Sequence, residues 1–113
     1  MATIVMADDD KAFLAVVAKW LGSNGHTVQT ARNGQDALAL IASAQPDLLV
    51  LDVALPLVTG DEIGKGSPLP ILYLSGRDHD RVESLLGPRV RFLQKPADLD
   101  EILAEVTALL ALP

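Results

Sequence analysis

The feature of this sequence that most limits its fold is an uninterrupted apolar run in the middle of the chain, Leu48-Leu49-Val50-Leu51. A strand that carries no polar side chain on either face must be covered on both faces, which is typical of the interior of a parallel sheet. Parallel strands are joined by crossover connections, which are usually helices. The run therefore predicts an α/β fold with helices on both sides of one sheet.

The rest of the chain alternates between strand patterns and helix patterns, which favours the same fold. Helices are predicted from Lys11 to Ser23, after Asn33, and from Leu99 to Leu110, where apolar residues recur at helical spacing. Asp10 and Asn33 are the expected N-caps of the first two helices. The predicted strands are Thr3–Ala7, Thr27–Thr30, Leu48–Leu51, Pro70–Leu74 and Val90–Leu93.

Two connections in the second half of the chain leave little room for a helix. The segment from Leu55 to Pro68 is rich in glycine and proline, so any third helix, near residues 61–65, is limited to one or two turns. The fourth helix is confined between Asp78 and the Gly87-Pro88 pair. We therefore expect a shortened or missing third helix and a compressed fourth helix.

Composition excludes several classes of function. A length of 113 residues predicts one domain over residues 1–113. The formal net charge is −6 and no cluster of lysine and arginine is present, so direct nucleic-acid binding is not expected. The absence of cysteine excludes disulfides and thiolate metal sites and fits a cytoplasmic location. No apolar stretch is long enough to span a membrane, and the N-terminus does not resemble a signal peptide.

Polar side chains follow four of the five predicted strands. Asp8 and Asp9 follow the first strand, Asp52 the third, Ser75 the fourth, and Lys95 comes shortly after the fifth. The carboxyl ends of parallel strands meet at one edge of the sheet, where ligands bind in such folds. Three carboxylates there would repel one another unless a hard divalent cation, such as Mg²⁺, neutralised them.

These residue types together predict phosphoryl chemistry. An aspartate carboxylate is a competent nucleophile that forms an acyl phosphate, and Lys95 and Ser75 offer a positive charge and a hydroxyl donor to phosphoryl oxygens. Each motif alone has a simpler interpretation. An acidic run is usually a solvated surface or a helix cap, and a strand-ending Asp or a Ser-Gly pair is usually a turn. Their joint occurrence at one edge favours a site.

In combination these residues resemble the receiver domains of two-component response regulators, over essentially the whole chain. The resemblance implies a flavodoxin-like, doubly wound five-stranded parallel sheet with strand order 2-1-3-4-5. It implies phosphotransfer from a sensor histidine kinase or a histidine phosphotransfer protein to Asp52, which switches a surface that contacts a downstream protein partner. The matching motifs are Ile4–Asp10, Thr30–Leu38, Pro46–Asp52 with Leu55-Pro56 and Gly60, Leu74–Gly76, and Phe92–Pro96.

The resemblance also implies a role for each site residue. Asp9 and Asp52 would bind Mg²⁺ directly, with the Ala54 carbonyl as a third protein ligand, and Asp8 would act largely through water. Lys95 would pair with the phosphoryl group and Ser75 would hydrogen-bond it. Phe92 would be the rotating aromatic residue of the switch, although a plain core position is an alternative for it. Catalysis is expected to be limited to the domain's own phosphorylation and dephosphorylation, so the chain is not an enzyme acting on other substrates.

Two positions are expected to tune the lifetime of the phosphorylated state. Ala54 and Arg77 lie two residues after Asp52 and Ser75, at positions that flank the phosphoryl group in the family. Ala54 has no polar atom to orient water, and Arg77 could donate to a phosphoryl oxygen or point to solvent. Slow intrinsic hydrolysis is therefore predicted.

Two other functions remain open from the sequence. The altered third and fourth helices leave open an interaction module with a receiver fold that does not signal through phosphate, but the presence of the complete set of site residues argues against it: Asp8, Asp9, Asp52, Ser75 and Lys95. A magnesium-dependent phosphohydrolase would need a second acid near Asp52, and Ala54 cannot serve. His26 and His79 are expected at the surface, Asp78 as a helix cap, and Phe13 and Trp20 in the core.

Overall fold

The computed structural model describes residues 2–112. It contains one five-stranded parallel sheet with the strands in the order 2-1-3-4-5 and helices on both faces, so the predicted fold is confirmed. In chain order the elements are β1 (Thr3–Ala7), α1 (Lys11–Ser23), β2 (Thr27–Ala31), α2 (Gly34–Ala44), β3 (Leu48–Leu51), α3 (Gly60–Lys65), β4 (Ile71–Ser75), α4 (His79–Val82) with a 3₁₀ turn (Glu83–Leu85), β5 (Val90–Gln94) and α5 (Leu99–Leu110).

The alternation of side chains along the strands divides the core into two layers. On β1, Ile4 and Met6 face the layer formed with α1 and α5, whereas Val5 and Ala7 face the layer formed with α2, α3 and α4. This is the two-residue period of a strand buried on both faces. The run on β3 that predicted such burial is fully buried, as expected.

The register of the sheet places the polar strand ends side by side. The Asp52 amide donates to the Ala7 carbonyl at 3.0 Å, which sets Asp52 beside Asp8. The Lys95 amide donates to the Ser75 carbonyl at 2.9 Å, which sets the turn after β5 beside the end of β4. The four predicted site segments therefore meet at one edge.

Helices α1 and α2 begin at side-chain caps. Asp10 accepts a hydrogen bond from the Phe13 amide at 3.1 Å, and Asn33 accepts one from the Asp36 amide at 2.8 Å. These bonds satisfy backbone donors that the first turn of a helix leaves free. Both predicted caps are confirmed, and the observed ends of α1 coincide with the predicted ones.

Helices α3 and α4 are as short as the sequence predicts, with six and four residues. Neither begins at a side-chain cap hydrogen bond. The Tyr73 hydroxyl instead reaches from β4 beneath α3 and donates to the Gly60 carbonyl at 3.1 Å. Arg81 of α4 lies 3.1 Å from Asp61 of α3, as an ion pair whose N–H is not aligned for a hydrogen bond.

One predicted cap is wrong. Asp78 occupies the position before α4, in a left-handed conformation with φ of 62°, but its side chain makes no cap hydrogen bond. The Asp78 carboxylate instead accepts from the Ser75 hydroxyl at 3.4 Å. Within residues 2–112, no helix is long and apolar enough to cross a membrane.

Candidate functional site

Three carboxylates converge where β1 and β3 end. Asp8, Asp9 and Asp52 each place one oxygen within 4.8 Å of the others. Asp8 is 1% exposed and Asp52 is 8% exposed, whereas Asp9 lies at the surface. Burial of two aspartates at this edge is unusual because a carboxylate loses hydration when it leaves water, so partners are expected.

Lys95 is the cationic partner of this cluster. Its ammonium lies 2.6 Å from Asp8 Oδ2 and 3.6 Å from Asp52 Oδ2. The first distance is a short charge-assisted hydrogen bond, and the second is an electrostatic contact without a hydrogen bond. The peptide bond that follows, Lys95–Pro96, is cis.

Burial and pairing act in opposite directions on this pair. Burial raises the pKa of Asp8, and the hydrogen bond from Lys95 offsets only part of that rise. For Lys95, burial alone lowers the pKa. The hydrogen bond and charge of Asp8, together with the charge of Asp52, raise the pKa by more than burial lowers it, so the pKa of Lys95 is above its ordinary value. Lys95 is therefore a protonated ammonium at neutral pH.

The same cluster suits a hard divalent cation. With all three carboxylates ionised and one ammonium present, this edge keeps a net charge of about −2, which a divalent ion would balance. Carboxylate oxygens are the ligands that Mg²⁺ prefers. Ala54, the predicted carbonyl ligand, is exposed beside the cluster, and its amide lies 3.4 Å from Asp52 Oδ1. The three predicted carboxylate ligands are thus brought together, and the ligand roles of these aspartates and of the Ala54 carbonyl remain predictions.

Ser75 lies at the same edge, but its hydroxyl has a partner that was not predicted. The residue is 2% exposed, and its hydroxyl donates to Asp78 rather than to a carboxylate of the cluster. Asp78 therefore holds the hydroxyl that the sequence assigns to a phosphoryl oxygen. A hydrogen bond of 3.4 Å is long and can be exchanged for a stronger acceptor.

The remaining predicted residues lie around this edge. Phe92 is half-buried against the α2–α4 layer and meets the exposed ring of His79 edge-on, with ring centroids 4.9 Å apart. Arg77 is exposed, and no hydrogen bond or ion pair joins it to another residue of the described chain. The switch role of Phe92 and the tuning role of Arg77 stay predictions.

Sequence reasoning missed one neighbour of Lys95. The Lys95 ammonium lies 4.5 Å from the centre of the Phe13 ring, a cation–π distance. Phe13 was assigned to core packing, and it does pack at the edge of the α1–α5 layer. Its place in the first turn after the acidic run was the signal that it also lies near the site.

A parallel sheet of order 2-1-3-4-5 with paired aspartates after β1, an aspartate after β3 and a lysine after β5 defines the receiver class of signalling domains. The family model of the response regulator receiver domain matches residues 4–107, and the chain belongs to this family. Its place is therefore in two-component signalling.

Relatives and solved structures agree with this assignment. Response regulator MprA of Mycobacterium tuberculosis is 42% identical over 114 residues, which cover 95% of this chain and 50% of that protein. The chain thus spans about half the length of the curated relatives it matches. Chemotaxis response regulator CheY4 of Vibrio cholerae superposes with a TM-score of 0.85 at 26% identity, over 96% of this chain and 98% of that one. The receiver domain of Francisella response regulator 1452 gives a TM-score of 0.86 at 26% identity, over 97% of both chains.

Proposed function

We propose that this domain accepts a phosphoryl group on the Asp52 carboxylate from a phosphohistidine of a sensor histidine kinase or histidine phosphotransfer protein. The observation that carries the proposal is the convergence of Asp8, Asp9 and Asp52 within 4.8 Å, with the Lys95 ammonium between Asp8 and Asp52. A cluster of carboxylates that served only stability would not need a nearly buried aspartate at the end of the central strand.

The transfer is a single exchange of bonds. A carboxylate oxygen of Asp52 attacks phosphorus, the phosphorus–nitrogen bond to the donor imidazole breaks, and the donor histidine leaves with its electron pair and takes up a proton. Lys95 exchanges its contact with Asp8 for a phosphoryl oxygen, and its fixed charge offsets the charge that develops there. A Mg²⁺ ion held by Asp9, Asp52 and the Ala54 carbonyl, with Asp8 behind it, would supply further charge neutralisation when bound.

The reaction ends by hydrolysis of the same acyl phosphate. Water attacks phosphorus, the bond to Asp52 breaks, and inorganic phosphate leaves. The domain acts only on its own carboxylate and is not an enzyme for other substrates. Phosphorylation changes a surface of the domain that a downstream protein partner binds. This signalling does not require direct contact of the domain with nucleic acid or membrane.

The phosphoacceptor is tested with a small donor. The protein is incubated with phosphoramidate and Mg²⁺, and intact mass spectrometry should show one added phosphoryl group that is labile to base. Asp52→Asn should abolish the adduct, whereas Asp47→Asn, an exposed aspartate at the opposite end of the same strand, should leave it unchanged. An adduct that survives in Asp52→Asn would show that the assignment is wrong.

The metal ligands are tested separately by calorimetry. Asp9→Ala should weaken Mg²⁺ binding by at least an order of magnitude because Mg²⁺ tolerates incomplete coordination poorly. Asp47→Asn again serves as the control that changes net charge equally. Equal Mg²⁺ affinity in Asp9→Ala and the unaltered protein would remove Asp9 from the site.

The lifetime of the acyl phosphate tests the tuning positions. Because Ala54 cannot orient water, we expect slow hydrolysis that becomes faster in Ala54→Asn, where an amide can align the attacking molecule. Arg77→Ala should also shorten the lifetime if the guanidinium contacts the phosphoryl group, and should leave it unchanged if Arg77 stays in solvent. Loss of the phosphoryl group within seconds from the unaltered protein would contradict this expectation.

A further inference from the structure

The Lys95 ammonium has a third neighbour besides its two carboxylates. Asp8 and Asp52 lie 2.6 and 3.6 Å away, and the ring of Phe13 lies 4.5 Å away from the ammonium to its centre. The Lys95 side chain remains 23% exposed, so one direction toward solvent is open. A lysine has a flexible four-carbon stem, so rotamers that point the ammonium into solvent compete with the rotamer that places it beside the carboxylates.

The backbone that carries the Phe13 ring is tied to the carboxylates at the start of α1. The Phe13 amide donates to Asp10 Oδ1 at 3.1 Å, and the Asp10 amide in turn donates to Asp8 Oδ1 at 2.9 Å. The ring is half-buried and packs against the α1–α5 layer of the core. Hydrogen bonds therefore link Asp8 to the helix start, and core packing holds the ring beside Lys95.

An aromatic ring acts on the ammonium in a way that an aliphatic residue cannot. The face of the ring carries partial negative charge and attracts a cation, and a partly desolvated setting strengthens that attraction. A leucine of similar bulk would exclude water but would not attract Lys95. The ring thus opposes rotation of the ammonium into solvent without competing as a hydrogen-bond acceptor.

We infer that Phe13 is a positioning residue for phosphoryl transfer, which holds the Lys95 ammonium over the Asp52 carboxylate through a cation–π contact. This inference rests on the proposed function of Asp52. Phe13 touches no reacting atom and acts only through Lys95. The chemistry at Asp52 should therefore proceed without the ring, but more slowly.

The test compares three variants with the unaltered protein in phosphorylation by phosphoramidate with saturating Mg²⁺. Phe13→Leu should lower the rate about two- to tenfold, the range expected for loss of a partly exposed cation–π contact. Phe13→Tyr keeps a ring of the same shape and should react at nearly the original rate. Leu14→Val, which trims a buried residue of the same helix, controls for a general effect of α1 packing.

A spectroscopic readout identifies the contact itself. The ring current of Phe13 should shift the NMR signals of the Lys95 ε-methylene upfield in the unaltered protein and in Phe13→Tyr, but not in Phe13→Leu. Phe13→Leu reacting at the original rate, or Leu14→Val slowing it equally, would overturn the inference while leaving Asp52 as the acceptor. An unaltered protein that takes no phosphoryl group would overturn the proposed function and this inference together.

Discussion

Helices α1 and α2 are specified by local sequence, whereas α3 and α4 are held by residues from elsewhere in the fold. The first pair has 13 and 11 residues, and each begins at a side-chain cap. The second pair has six and four residues and no side-chain cap. In place of caps, the Tyr73 hydroxyl donates a hydrogen bond to the Gly60 carbonyl at the start of α3, and an ion pair between Asp61 and Arg81 joins α3 to α4. Helices this short are unstable in isolation, so their positions depend on tertiary contacts.

This difference bears on the proposed signalling function. The carboxylates lie between the largely buried strands β1 and β3 and the capped 13-residue helix α1, so they are carried by elements that the local sequence specifies. Helix α4, which lies next to Phe92, belongs instead to the pair of short helices without side-chain caps. A surface that changes on phosphorylation is expected to come from the less stable elements. The following predictions test whether the two pairs of helices differ as described.

The largest effect is expected from adding one methyl group to α3. A Cβ at Gly64 would lie 1.8 Å from the Tyr73 hydroxyl, so Gly64→Ala should lower the free energy of unfolding by about 3 kcal/mol. Tyr73→Phe should recover much of that loss in the double variant, because it removes the clashing oxygen. Gly22→Ala in α1 meets no atom within 4 Å and should stabilise the protein by about 0.5–1 kcal/mol. Urea titration of Gly64→Ala, Tyr73→Phe, the double variant and Gly22→Ala measures these changes, and equal losses at Gly22 and Gly64 would contradict the comparison.

The second-largest effect is expected from alkaline pH, which should lower the free energy of unfolding through Tyr73 beneath α3. Burial, reinforced by the charge of Asp61, raises the pKa of Tyr73 to about 12 from an unfolded value near 10.0. The folded state thus favours the protonated phenol, so this stabilisation is complete below pH 10 and is lost as the pH rises through 12. The loss at pH 12 should be about 2 kcal/mol.

Tyr73→Phe isolates this effect from the titration of other groups. The difference in unfolding free energy between the unaltered protein and Tyr73→Phe is measured from pH 8 to pH 12. That difference should be constant below pH 10 and should fall above it. A difference that stays constant over the whole range would show that Tyr73 does not titrate with a raised pKa.

The ion pair between α3 and α4 should contribute more than an exposed pair of the same length. Arg81→Ala leaves the Asp61 carboxylate, whose side chain is 9% exposed, without its cation, and should cost about 1–2 kcal/mol. Arg91 pairs with Glu105 at the same 3.1 Å but is itself about half exposed, so Arg91→Ala should cost less than about 1 kcal/mol. Thermal unfolding of both variants shows which substitution lowers stability more, and a larger loss of stability for Arg91→Ala would refute the prediction.

The smallest difference in stability is expected between substitutions at the starts of α1 and α3. Asp10→Ala removes the cap of α1 and should cost about 1 kcal/mol. Thr59 precedes α3 but its hydroxyl reaches only the exposed Glu62 carboxylate, so Thr59→Ala should change stability by less than about 0.5 kcal/mol. Chemical denaturation at fixed pH compares the two. Equal losses would mean that α3 is also specified by its own first turn.

Much of the fold and the core of the site follow from the sequence alone. The strand and helix patterns, the caps Asp10 and Asn33, and the shortness of α3 and α4 depend on side-chain period, turn residues and local hydrogen bonds, all of which a sequence displays. The convergence of Asp8, Asp52 and Lys95 follows as well, because parallel strands bring their carboxyl ends to one edge.

Only the tertiary structure decided which side chains pair across that edge. The Phe13 ring over Lys95, the Ser75 hydroxyl on Asp78 and the Tyr73 hydroxyl beneath α3 join side chains whose partners depend on sheet register and rotamer choice. The sequence placed Asp78 as a cap, since an aspartate before a helix usually caps it, but the left-handed backbone there leaves its carboxylate free for Ser75. Short-range rules determine where elements begin and end, and packing between distant elements determines what their side chains touch.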